Sequence, residues 1–190
     1  MRYYTKTGDG CQTQGLHGRC AKSDPQIEAF GALDEAQVAL GFAAVCAKEY
    51  VVGAMSSSPA DAEGKRFEQG ECVQSSTVYE TLRWMQQVLF DVGGTTCADN
   101  LAELLAKTES LCDEFTADGK TKGTKTKGTV LFVLPGSSEL SARIDLARVA
   151  IRRYERKLCA VADEHPSVMD ALPLINRLSD LAYALARTCD

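Results

Sequence analysis

The segment from Glu139 to about Asp163 places apolar side chains at Leu140, Ile144, Ala147, Ile151, Tyr154 and Leu158, in alternating steps of four and three. Residues at those offsets share one face of a 3.6-residue helix, so the pattern predicts a long amphipathic helix whose stripe other helices must cover. The rest of the chain supplies them. Asp24-Pro25 joins an N-cap carboxylate to a proline at the first helical position, and Ile27, Phe30, Leu33 and Leu40 follow near helical spacing, giving a helix over about 25–47. In "STVYETLRWMQQVLFDVGG", Leu82, Met85, Leu89 and Val92 share one face and Gly93-Gly94 supply a stop. A third helix fits roughly 99–115. The last starts near Asp170, with Pro173 in its first turn, and buries Leu174, Leu178, Leu181 and Leu185. With almost no strand signal, the fold class is all-α, a four- to five-helix up-down bundle forming a single domain over 1–190.

Two stretches break the periodicity. "SSSPADAEGKRFEQGECVQSS" has the Ser, Pro, Gly and charge content of a surface loop, and "DGKTKGTKTKGT" is a low-complexity basic linker. Disordered insertions are therefore expected near 50–78 and 117–129. The net charge of -5 argues against nucleic-acid binding, because counterion release needs a concentrated basic surface. The eight cysteines form no C-x-x-C pair and the histidines are His17 and His165, which disfavours a zinc site. Irregular cysteine spacing without a secretory apolar region points to reduced thiols and an intracellular location. That means the cytoplasm, or the mitochondrial matrix where a transit peptide precedes this sequence. No apolar run approaches the roughly 20 residues that span a bilayer.

Chemistry is concentrated in three places. In "ARVAIRRYER", Arg148, Arg152 and Glu155 form a polar stripe beside the apolar one. Such a stripe is half-buried or at an interface, and it serves equally as a ladder of Arg-Glu pairs or as an arginine cluster whose guanidinium forks match phosphate oxygens. In "INRLSDLAY", Asn176, Asp180 and Tyr183 lie beside the leucine seam, either as a polar rim or facing the arginines. The opening "YTKTGDGCQTQGLHGRCAKSDP" fits neither G-x-x-x-x-G-K-[ST] nor G-x-G-x-x-G. Its Gly8, Gly10, Gly15 and Gly18, bracketed by Lys6 and Lys22, leave backbone N–H groups free to face an anion, or simply make turns.

Taken in order, "YTKTGDGCQT", "KSDPQIEAFGALDEAQVALGFA", "MQQVLFDVGG", "FVLPGSSELSARIDLARVAIRRYER" and "LINRLSDLAYALAR" resemble the ATP:corrinoid adenosyltransferases of the trimeric helical-bundle type, enzymes that make adenosylcobalamin. The resemblance implies a ferritin-like up-down bundle that assembles as a homotrimer, with ATP in a cleft between neighbouring subunits. It assigns Thr5, Lys6, Thr7, Gly8, Thr13, Gln14 and Lys22 to one wall of the ATP site and Arg152, Arg153, Glu155, Arg156 and Asn176 to the other. On the corrinoid side it places Asp34, Phe132, Arg148 and Asp180. Arg148 would pair with Asp34 of the adjacent subunit, and Phe132 would wedge beneath the corrin in place of the lower cobalt ligand. Arg148, Arg152, Asp34 and Phe132 would carry catalysis. Magnesium would be bound through the ATP phosphates, with no protein ligand assigned.

The partners implied are ATP, cob(I)alamin or cob(II)alamin, further copies of the chain, a reductase and an adenosylcobalamin-dependent enzyme, but neither nucleic acid nor membrane. The chain departs from the family pattern at Cys11, where glycine is usual, at Gln37, at Gly136-Ser137-Ser138, and at Asp145, where histidine is common. Two other functions fit the composition: a non-catalytic corrinoid carrier of the same fold, and a ligand-free helical interaction protein.

Overall fold

A computed structural model of the chain describes residues 3–16, 18–56, 69–94, 100–117, 133–163 and 167–190. Two short strands, β1 (Gln12–Gly15) and β2 (Gly18–Ala21), precede five helices among the described residues. These are α1 (Pro25–Ser56), α2 (Gln69–Gly94), α3 (Leu101–Ala117), α4 (Glu139–Cys159) and α5 (Ser167–Thr188). The starts follow local chemistry. Asp24 Oδ1 accepts the Gln26 N–H at 2.9 Å, and Pro25 occupies the first helical position. Ser138, with extended backbone, accepts the Ser141 N–H at 2.9 Å and donates its hydroxyl to the Cys189 carbonyl at 2.7 Å, so one side chain caps α4 and ties it to the end of α5.

Several boundaries differ from the sequence expectation. Helix α1 runs on to Ser56 and α2 already starts at Gln69, so parts of the expected 50–78 insertion are helical; residues 57–68 and 118–129 lie outside the described residues. Once nucleated, a helix extends through any residues that do not break it, and periodicity is not required for that. Helix α4 ends at Cys159 rather than near 163. Helix α5 begins at Ser167, three residues before the expected Asp170, which puts Pro173 beyond the first turn. As expected, strand is scarce: among the described residues it is confined to the β1–β2 hairpin, paired antiparallel with Gln12 opposite Ala21 and Gly15 opposite Gly18.

Cross-helix pairs fix the topology. Lys157 reaches Glu28 at 3.1 Å and Arg153 reaches Glu35 at 3.0 Å, while Arg143 lies over the Phe42 ring, so α1 and α4 run antiparallel. Gln86 donates to the Gln37 carbonyl and Gly93 meets Leu33, which makes α2 antiparallel to α1. Asn176 meets Glu155 and Arg187 meets Asp145, which does the same for α4 and α5. Helix α3 packs on α5. Every apolar position expected on α4, α5 and the second helix is buried, and Leu33 and Leu40 join them from α1. Burial pushes the Tyr154 phenol from its ordinary 10 to about 12 and the Cys189 thiol from 9 to about 12, so both stay uncharged in the core. Cys11, Cys20, Cys46, Cys112, Cys159 and Cys189 are free thiols.

The expectation that no segment could span a bilayer needs correction at α1, whose Pro25–Tyr50 stretch is long and apolar enough by length and composition. Its inner face, from Ala29 to Ala47, packs in the bundle core. Gly93 is expected only to stop α2, yet it also lies close against α1: an added Cβ would stand 2.1 Å from a Leu33 methyl carbon. We expect Gly93→Ala to lower stability by about 1–3 kcal/mol through overpacking, read as an earlier urea midpoint at unchanged slope.

Candidate functional site

The arginine stripe of α4 and the polar stripe of α5 come together. Asn176 donates to Glu155 Oε1 at 2.7 Å, and Arg152 Nη1 lies 2.7 Å from Glu155 Oε2, close but without the alignment of a hydrogen bond. The Glu155 side chain is 14% exposed and that of Arg152 is 43% exposed, so the pair has a buried carboxylate root and a wetted guanidinium. Glu155 therefore orients both Arg152 and Asn176. Arg153 pairs with Glu35 of α1, and Arg156 is exposed with no ion pair among the described residues. The cationic row thus faces outward along α4 and is fixed at its base, as the half-buried position of the stripe demands.

The N-terminal wall is a hairpin with a folded-back leader. Lys22 N–H donates to the Cys11 carbonyl at 3.0 Å, closing the strand pair. The Thr5 and Thr7 hydroxyls share a 2.8 Å hydrogen bond, and Arg19 Nη2 donates to the Thr7 carbonyl at 2.7 Å, which holds the leader against β2. The position of a Cβ on Gly8 lies 3.5 Å from Lys22 Nζ, so this ammonium hangs over the Gly8 turn. Lys6 has a φ of 60° and its Nζ lies 5.9 Å from the Tyr4 ring centroid. Thr13 is half-buried and Gln14 exposed, the latter donating to the Gly15 carbonyl. The hairpin is mostly exposed, and the Leu16 N–H ties it to α1 by donating to Gln26 Oε1 at 3.2 Å.

On the other expected side the structure is selective. Arg148 donates from Nε to Asp145 Oδ1 of its own helix at 2.7 Å. Asp34 is exposed and makes no ion pair among the described residues. Asp180 is exposed and holds Arg177 of its own helix at 2.6 Å, which also reaches Glu109 of α3; among the described residues it makes no ion pair with the α4 arginines. Phe132 lies outside the described residues. Sequence reasoning passed over Arg19, whose role depends on hairpin register, and over Arg187, which is buried against Asp145 and Asp190. Its place four residues after Tyr183, on the stripe of Asn176, Asp180 and Tyr183, was the available signal for the second.

The cobalamin adenosyltransferase family model matches residues 3–189. The chain belongs to the cobalamin adenosyltransferase family. It is 31% identical to the corrinoid adenosyltransferase of Mycobacterium bovis over all of this chain and 89% of that protein. It is 28% identical to the Bacillus subtilis corrinoid adenosyltransferase over 98% of this chain and 86% of that protein. A variant PduO-type ATP:corrinoid adenosyltransferase from Lactobacillus reuteri, solved with cobalamin and ATP, superimposes with a TM-score of 0.71 at 25% identity, covering 99% of this chain and 93% of that one. The five-helix architecture and the ordered motifs are therefore those of a transferase.

Within this adenosyltransferase the departure at Cys11 has a structural meaning. Its φ is 60°, in the left-handed region, where a Cβ costs about 1–2 kcal/mol and glycine is indifferent. We expect Cys11→Gly to stabilise the hairpin by about 0.5–1 kcal/mol after the extra chain entropy of glycine is subtracted, read as slower hydrogen exchange of the Lys22 amide.

Proposed function

We propose that the chain transfers the 5′-deoxyadenosyl group of ATP to the cobalt of cob(I)alamin, at a site completed between subunits of a homotrimer. The observation that carries this is the Glu155-rooted pairing of Arg152 with Asn176, together with a cation-bearing hairpin that its own helices leave exposed. The nucleophile is Co(I), which attacks C5′; the C5′–O bond breaks and its electron pair leaves with triphosphate. No proton passes to or from the nucleophile, so no general base is needed. What the protein must supply is alignment of cobalt and C5′, positive charge where the leaving group gains negative charge, and a dry cleft.

Thr5, Lys6, Thr7, Gly8, Thr13, Gln14 and Lys22 would cradle the nucleotide from one subunit, and Arg152, Arg153, Glu155, Arg156 and Asn176 from the next. Magnesium would be held through the ATP phosphates, whose negative charge it would offset; among the described residues no three His, Cys, Asp or Glu side chains gather to hold it. Asp34 would meet Arg148 across the subunit boundary, with Phe132 beneath the corrin. Association is supported by an apolar face shared by α1 and α4, on which Val38, Phe42, Val45, Leu146 and Val149 are 47–69% exposed. Free thiols suit a reducing compartment, cytoplasm or mitochondrial matrix, where a reductase supplies Co(I) and an adenosylcobalamin-dependent enzyme takes the product.

Mixing the protein with ATP, Mg²⁺ and chemically reduced cobalamin should yield adenosylcobalamin and triphosphate. A folded, trimeric protein that forms neither overturns the proposal, and tight cobalamin binding without ATP affinity would favour a carrier instead. Replacing Arg152 with alanine removes a charge-assisted phosphate contact of about 1.5–3 kcal/mol. Calorimetric titration should accordingly show ATP affinity about 10- to 100-fold lower.

A further inference from the structure

Beyond the stripe residues, the structure holds a buried chain of charges. Arg187, whose side chain is 1% exposed, donates from Nη2 to Asp145 Oδ2 at 2.5 Å and to Ser141 Oγ at 3.3 Å. Asp145, 6% exposed, gives its other oxygen to Arg148 Nε at 2.7 Å. The Tyr183 ring lies beside both guanidinium groups, its centroid 5.2 Å from Arg187 Cζ and 6.0 Å from Arg148 Cζ. Each Asp145 oxygen is thus engaged by a different arginine, which fixes the carboxylate plane. Arg148 is held by Nε alone and its side chain is 28% exposed, so the four N–H donors of its terminal nitrogens have no partner among the described residues.

We propose that Asp145 is a positioning residue for Arg148, anchored from the core by Arg187, so that Arg148 presents its terminal nitrogens to the corrinoid side in one fixed orientation. This rests on the transferase activity proposed above and on Arg148 facing the corrinoid. A guanidinium tethered through Nε to a carboxylate that cannot rotate loses most of its rotamer freedom before its external partner arrives, and binding then costs less ordering. An ordinary surface ion pair would fix nothing, since its carboxylate turns freely in water.

The test is a double-mutant cycle of Asp145→Asn and Arg148→Ala, with cob(I)alamin and ATP varied separately in steady-state kinetics. Asp145→Asn should lower kcat/KM for cobalamin about tenfold and leave the ATP KM within about twofold. In the Arg148→Ala background it should add less than about a further twofold loss, because it acts through Arg148. Multiplying losses, or unchanged cobalamin kinetics in folded Asp145→Asn, overturn the proposal. Should the single variant unfold because Arg187 is left under-compensated, Asp145→Asn with Arg187→Leu removes the buried pair as a unit. That folded double variant should show the same cobalamin defect, and wild-type kinetics in it overturn the proposal. If the wild-type protein itself makes no adenosylcobalamin, the transferase activity fails and this relay falls with it.

Discussion

The contact between Arg187 and Asp145 is the constraint on which the α4–α5 seam depends. Both side chains are nearly sealed from water, and a buried charge is tolerated only if its partner is held in place. The cost of leaving either alone is about 3–5 kcal/mol, which makes any other register of α5 against α4 unfavourable. Arg187 Nε also lies 3.1 Å from Asp190 Oδ2, within ion-pair range though not aligned as a hydrogen bond. Asp190 in turn accepts from the Ser137 and Ser141 hydroxyls, so the network reaches back to the α4 cap. With that end pinned, two rigid antiparallel helices bring Glu155 and Asn176 within 2.7 Å at the other end.

The opposite design governs the N-terminal hairpin. It buries little, its backbone is closed by few bonds, and two non-glycine residues, Lys6 and Cys11, sit at a φ of 60°. Lys22 over Gly8 and Arg19 on Thr7 gather positive charge on a segment with little apolar anchorage. Cations gathered in this way repel one another, and a bound anion would relieve that repulsion and stabilise the segment.

Much of this was legible in the residues. The Leu140 to Leu158 stripe, the Leu174 to Leu185 seam and the Asp24-Pro25 start correspond to buried faces and a capped helix, because 3.6-residue periodicity and capping are local properties. The pairing of the Arg152–Glu155 stripe with Asn176 was stated as one of two possibilities, and the antiparallel seam selected it. The hairpin was missed because glycines, threonines and glutamines carry no alternation of apolar and polar residues. Spacing groups Asp180 with Asn176, but its ion pair is with Arg177 of its own helix, a choice of partner that spacing does not encode.

By itself the sequence determined the helices, their buried stripes, the half-buried placing of the arginines and, through ordered motifs, the family. Those follow from periodicity, capping and residue chemistry within a few turns of chain. Only the tertiary structure decided that Asp145, where the family commonly has histidine, takes a buried arginine from α5 and holds Arg148. Positions 145, 148 and 187 are joined by a helix crossing, and the energy of a buried charge depends on what lies across that crossing rather than on its neighbours in the chain.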